Sequence, residues 1–336
     1  MLTGLAHYGA DQPGLVCGYH FRPGGPGVAL DSAQAADWLA RADGGNGFVW
    51  LHFNLAHASC ERWLRAHLDL PDDFYDAQHE GSSSTRIEQS GEDLLAVVND
   101  VVFSFGTAAS ETATLWVCTQ QRMLVTARTK PLRSIDRLRA SVRDGECFRS
   151  PAALLVHLLR DQADVLVGIV RETSGKIDLI EDRLLAQRPN DKRAELAATR
   201  RVLVRLQRLL ALEPGALFRL LNRPPVWLRN DDALELRQAT EESSLVLNDL
   251  TSLVERMRLL QEELAAQLNE QTNRTLFTLT VVTVLALPIN IVAGLFGMNV
   301  GGVPLAGHPH GFWLLVAVVV GFTVLAGVWA LGRRPR

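Results

Sequence analysis

The residues best suited to chemistry in this chain lie inside an apolar segment. Counting back from Gly297 in steps of three and four meets Gly294, Asn290, Leu287, Thr283, Leu279 and Leu276. On a helix those positions share one face. An amide or hydroxyl left alone in hydrocarbon is costly, so Asn290 and Thr283 need protein or water beside them. Two arrangements meet that need. The side chains can glue neighbouring helices by hydrogen bonds, or they can line a path with neutral oxygen dipoles. A path requires several copies of the chain, because two helices cannot enclose water.

The surrounding segment is membrane-like. From Thr275 to Gly332 there is no Asp, Glu, Lys or Arg, although 21% of the sequence is charged. Two apolar runs, Leu276–Phe296 and Phe312–Leu331, flank an uncharged loop. About 20 apolar residues in a helix cross the ~30 Å hydrocarbon core, so each run is long enough to span. The expected segments are a first span at 276–296, an outer loop at 297–311 and a second span at 312–332. The second span is apolar on every side with Trp313 and Trp329 near its ends, the composition of a lipid-facing helix. Arg274 precedes the hairpin, and the tail 333–336 carries Arg333, Arg334 and Arg336. The positive-inside rule then places both termini in the cytoplasm and the loop outside.

The upstream chain must carry and align these spans. After Asn230-Asp231-Asp232 there is no Pro or Gly until Pro288. Residues 231–275 therefore read as a stalk helix running straight into the first span. Leu250, Leu253, Met257, Leu260, Leu264 and Leu268 form a seam of the coiled-coil or bundle type, a reason to oligomerise. The acidic stalk residues Asp231, Asp232, Glu235, Glu241, Glu242, Asp249, Glu262, Glu263 and Glu270 form a solvated face that could also concentrate cations near the inner mouth. Residues 151–230 read as an antiparallel helical hairpin. One helix begins at Pro151 and runs to Ala186; Arg188-Pro189-Asn190 breaks it; a second covers Asp191–Glu213 before Pro214-Gly215. Pro224-Pro225 marks the next break.

Residues 1–150 read as an α/β domain. Its expected strands are Leu15–Phe21, Gly47–Asn54, Leu94–Phe103, Thr112–Thr119 and Met123–Ala127. Helices are expected from Asp31 or Ser32 to about Arg41 and over Ser59–Leu68, with Glu80–Ser84 a polar loop. The net charge of −3 and the lack of an arginine-rich tract argue against nucleic acid as a partner. The N-terminal residues lack a secretory signal pattern. Cys17, Cys60, Cys118 and Cys147 are scattered, as reduced thiols of a cytosolic domain would be. No nucleophile motif, phosphate-binding glycine loop or H-E-x-x-H is present, so neither an enzyme nor a bound cofactor is expected.

Gly297-Met298-Asn299, at the outer end of the first of two C-terminal spans, resembles the signature of the CorA superfamily of divalent-cation transporters. The position of the tripeptide, after a long stalk and before a short loop and basic tail, makes the match specific. Magnesium-transporting members continue with a Met-Pro-Glu type loop. Here Val300-Gly301-Gly302-Val303-Pro304 follows without the Glu, and resembles the zinc-transporting ZntB-like branch. The resemblance implies a funnel-shaped homopentamer in the inner membrane, with Gly297, Met298 and Asn299 at the outer mouth. It implies transport of a divalent cation, zinc in the first place and Mg, Co, Ni or Cd as alternatives, with proton coupling left open. In such a ring Asn299 carbonyls could hold an ion through its water shell. Gly294, Asn290 and Thr283 would form deeper polar rings, and Leu287, Leu279 and Leu276 hydrophobic constrictions that gate by dewetting. His308 and His310 are candidate zinc ligands at the mouth, since imidazole suits zinc better than magnesium. A magnesium or cobalt channel, and a membrane-anchored cytosolic sensor or scaffold, remain the alternatives.

Overall fold

The computed structural model describes residues 11–41, 47–79, 85–102, 112–185, 193–211, 213–298 and 308–332. The chain divides into two units, Met1–Leu259 and Leu260–Arg336.

The first unit is built on a seven-stranded sheet. Its strands are β1 (Leu15–Phe21), β2 (Val28–Leu30), β3 (Phe48–Asn54), β4 (Arg86–Ser90), β5 (Asp93–Val101), β6 (Thr112–Thr119) and β7 (Met123–Arg128). They lie in the order β2-β1-β3-β7-β6-β5-β4. All pairs are antiparallel except β3 with β7. Both faces of the sheet are covered, so β3 and β7 are buried on both sides and mostly apolar, with His52 and Thr126 the buried polar exceptions near their middle. Phe48 and Trp50 of β3 enter one core, while Val49, Leu51 and Phe53 enter the other. The second core is closed by α1 (Ser32–Ala40), α2 (Cys60–His67) and α3 (Asp72–His79). Asp31 caps α1 in a capping box with Gln34.

The first core is closed by α4 (Arg133–Arg143), α5 (Pro151–Leu185), α7 (Glu213–Leu221) and the start of α8 (Asn230–Phe296). Between α5 and α7 runs α6 (Arg193–Leu210). Three ion-pair contacts in rising register show that α5 and α8 lie side by side in parallel. Arg149, just before α5, pairs with Asp232 and Glu235; Arg160 pairs with Glu242; Arg256 pairs with Asp178 and Glu181. Gln207 of α6 donates to the Thr251 hydroxyl of α8 at 3.0 Å.

Several expectations change. Strands β2 and β4 and helices α3 and α4 were not foreseen. β4 is an edge strand whose one buried apolar side chain is Ile87, so it shows no apolar run. α4 is rich in charge, and its inward face is only Ser134, Ile135, Leu138 and Val142. The expected turn at Pro214-Gly215 is instead the first turn of α7. Pro is tolerated there, because that N–H has no partner within a helix. The break at Arg188-Pro189-Asn190, the loop Glu80–Ser84 and residues Phe103 and Ala186 lie outside the described residues. The leucine seam is not a free oligomerisation face. Leu250, Leu253, Met257, Leu260 and Leu264 are all buried within the single chain.

Candidate functional site

The second unit contains the end of α8 and α9 (Gly311–Gly332), both long and apolar enough to cross a membrane. On α8 the partly shielded positions are Val281, Leu285, Ala286, Pro288, Ile289 and Val292; on α9 they are Leu315, Val316, Val319, Thr323, Ala326 and Gly327. At 100° per residue, Thr283, Asn290 and Gly294 lie roughly 180° around α8 from Val281, Leu285, Ile289 and Val292. Thr283, Asn290, Gly294, Leu276, Leu279 and Leu287 are all exposed. The polar stripe therefore lies on another face of α8 from Val281, Leu285, Ile289 and Val292, and no hydrogen bond links it to α9 among the described residues.

Thr283 and Asn290 differ in how they are satisfied. The Thr283 hydroxyl donates to the carbonyls of Leu279 (3.1 Å) and Thr280 (2.9 Å) of its own helix. Its proton is used internally, and what it offers outward is an acceptor oxygen. The Asn290 amide makes no hydrogen bond among the described residues. A Cβ built at Gly294 meets nothing within 4 Å, so this stretch of the stripe is open. At Gly297 a Cβ would stand 3.0 Å from the Ala293 carbonyl, whose oxygen already accepts the Gly297 N–H at 2.9 Å. Glycine suits that closing turn because a side chain would crowd the carbonyl. Met298 is exposed, while Asn299 lies outside the described residues.

His308 and His310 stand at the start of α9 with ring centroids 6.2 Å apart. The His310 backbone N–H donates to His308 Nδ1 at 3.2 Å, so that ring nitrogen is occupied as a cap. Nε2 of each ring is left for any ligand.

The acid excess of α8 is partly spent. Asp232 and Glu235 bind Arg149, Glu242 faces Arg160 at 3.8 Å and Glu270 binds Arg274. Glu241 and Asp249 remain exposed. No group of three or more His, Cys, Asp or Glu among the described residues is placed to hold a metal ion. A cavity of about 500 Å³ between α4 and α5 mixes Arg133 and Arg137 with Asp136, Asp164 and Glu172.

Two further clusters escaped the sequence reading because their partners are far apart in the chain. His52 is buried, and its charged form is disfavoured first by burial and then by Arg128 and Arg139. Arg128 Nε donates to His52 Nε2 at 3.2 Å, so Nδ1 carries the proton and donates to Thr126 Oγ1 at 2.8 Å. It is a satisfied core histidine, and His57 is an exposed one bonded to Ser59. Glu213, buried at the start of α7, accepts from the Asn99 backbone N–H (3.1 Å) and from Gln162 Nε2 (3.0 Å). Gln162 also donates to the Asn99 carbonyl at 2.8 Å. Together the two side chains satisfy the backbone N–H and carbonyl of Asn99 on β5. Burial, with Asp100 nearby, pushes the Glu213 carboxyl up to about 8. The thiols of Cys17 and Cys60 are pushed up to about 12 by burial, so they are poor ligands and nucleophiles.

An α/β unit joined by one long helix to a pair of membrane-length helices, with polarity on one face of the first, defines a membrane transport protein. Residues 45–333 match the family described as CorA-like Mg2+ transporter protein, and the chain belongs to that family. It is a divalent cation transporter, not an enzyme. The divalent cation transporter CmaX of Pseudomonas aeruginosa is 28% identical over 98% of this chain and 99% of its own length. A structure of full-length CmaX superposes with a TM-score of 0.80 at 25% identity, over 96% of this chain and 99% of that one. The zinc transport protein ZntB of Pectobacterium atrosepticum is 26% identical over 81% of this chain and 84% of its own. The CorA magnesium transporter of Methanocaldococcus jannaschii shares the fold, with a TM-score of 0.69 at 19% identity over 95% and 98% of the two chains.

Proposed function

We propose that this chain assembles as a homopentamer in the inner membrane and takes zinc into the cytoplasm. Five copies of the 276–296 segment ring the path; residues 1–275 and the tail 333–336 face the cytoplasm, and the 297–311 loop faces outward. One observation carries this reading. The Asn290 amide has no partner among the described residues and lies on the face of α8 opposite Val281, Leu285, Ile289 and Val292, so at membrane depth it calls for water, ion or another copy to satisfy it. Gly294 and Thr283 extend the same stripe, and Leu287, Leu279 and Leu276 alternate with them as apolar constrictions. Gly297, Met298 and Asn299 form the outer mouth, where Asn299 carbonyls hold the hydrated ion. His308 and His310 gather zinc there through Nε2.

Zinc is preferred because the loop lacks the Glu of magnesium-transporting members and because ZntB relatives are named for zinc. The family description favours magnesium as the second reading. Zinc influx into proteoliposomes, with magnesium as competitor and with or without a pH gradient, tests both. Zinc flux should exceed that of empty vesicles, and its response to the pH gradient decides whether protons are coupled to it. Magnesium flux equal to or above zinc flux refutes the preference. Asn299→Ala should abolish flux with the oligomer mass intact, and replacing both His308 and His310 by Ala should raise the zinc concentration for half-maximal flux.

A further inference from the structure

With the leucine seam buried inside the chain, assembly must use other surfaces, and the first unit leaves two of opposite charge. On α6, Arg201, Arg205 and Arg208 are exposed at i, i+4 and i+7, with Val204 among them. The opposite side of the helix buries Leu203, Leu206 and Leu210. These three guanidiniums have no ion pair among the described residues, and α6 contains a single acidic residue, Glu195. On α8 the outward face carries Leu234, Leu245 and Leu259, each more than half exposed. Glu241 and Asp249 are interleaved with them and Arg237 lies at the edge.

We propose that the arginine face of α6 docks on the acidic, leucine-bearing outer face of α8 in a second copy of this chain. The inference rests on the oligomeric reading above and adds the contact that builds it. Charge decides the pairing. A two-fold contact of α8 with α8 sets Glu241 and Asp249 against like charges, and α6 with α6 sets arginines together. Only the head-to-tail pairing puts Arg201, Arg205 and Arg208 against carboxylates, while Val204 meets exposed leucine. A head-to-tail contact between unlike faces repeats from copy to copy and closes as a ring when the rotation between copies divides a full turn.

Cross-linking of the full-length protein in detergent tests this. In a Cys147→Ser background, Val204→Cys combined with Leu245→Cys should give a bis-maleimide ladder from dimer to closed ring. Neither single variant should. Arg201→Glu with Arg205→Glu should weaken that ladder severalfold, and adding Glu241→Arg with Asp249→Arg should restore it. Cross-linking by Leu245→Cys alone overturns the proposal in favour of a self-paired α8 face. An absent ladder from a protein of multi-protomer native mass also overturns it, leaving the oligomer standing. An absent ladder with single-protomer mass removes both. A ladder untouched by arginine reversal, together with lost binding to anionic vesicles, reassigns the α6 face to a lipid surface.

Discussion

Asn290 and Thr283 occupy one stripe but carry different burdens. The threonine satisfies its proton on its own helix, so its replacement by Val removes an acceptor without orphaning a donor. The asparagine amide has no partner among the described residues. Asn290→Leu should therefore reduce metal flux at least tenfold while native mass stays unchanged; a loosened oligomer with preserved flux would instead mark Asn290 as helix glue. In the first unit the residue with most at stake is Glu213. Its carboxyl titrates at about 8 when folded against an ordinary value of 4.5. Folding thus takes up a proton between those values. The stabilisation is fully present below pH 4.5 and is lost as pH rises toward 8, by up to about 1.4 kcal/mol per pH unit, with no further change above. Glu213→Gln should flatten thermal stability across this window. An infrared carboxylic-acid band present at pH 7 in the parent and missing in the variant would identify the proton directly.

Helices are tied together by a few charged contacts of unequal weight. Arg149 joins the start of α5 to the start of α8 through Asp232, whose side chain is only 2% exposed. Ser150 Oγ adds a hydrogen bond to the same carboxylate at 2.8 Å. Arg149→Ala leaves a buried carboxylate short of its cation and should cost about 3 kcal/mol. Arg256 binds Asp178 and Glu181 in more open surroundings, and Arg256→Ala should cost about 1 kcal/mol or less. Thermal unfolding of the two variants in detergent checks the ranking; equal losses would mean that burial of Asp232 does not set the cost. Element boundaries were legible where a residue's backbone chemistry is local, as at Pro151 and the Asp31 cap. They were misread at Pro214, because Pro suits both a turn and a first helical turn. β4 and α4 were missed because few of their residues meet the core.

For the whole molecule, the proposed orientation rests on charge outside the spans. Arg274 and the tail arginines flank a hairpin whose loop has neither Lys nor Arg. Cys147 is exposed on the first unit, whereas Cys60 and Cys118 are buried. A membrane-impermeant maleimide should label Cys147 only after cells are permeabilised; labelling in intact cells would invert the proposed topology. Membrane insertion and the one-sided stripe were determined by sequence alone, since span length, absence of charge and the spacing of Asn290 and Thr283 are properties of a single helix. What those groups face was not, because it depends on what packs around α8. The leucine seam shows the same limit. Its periodicity announced a packed face but not the partner, and tertiary structure spent it inside the chain. Glu213, Gln162 and Asn99 lie far apart in sequence, so only folding could bring that carboxyl to a strand edge and shift its proton.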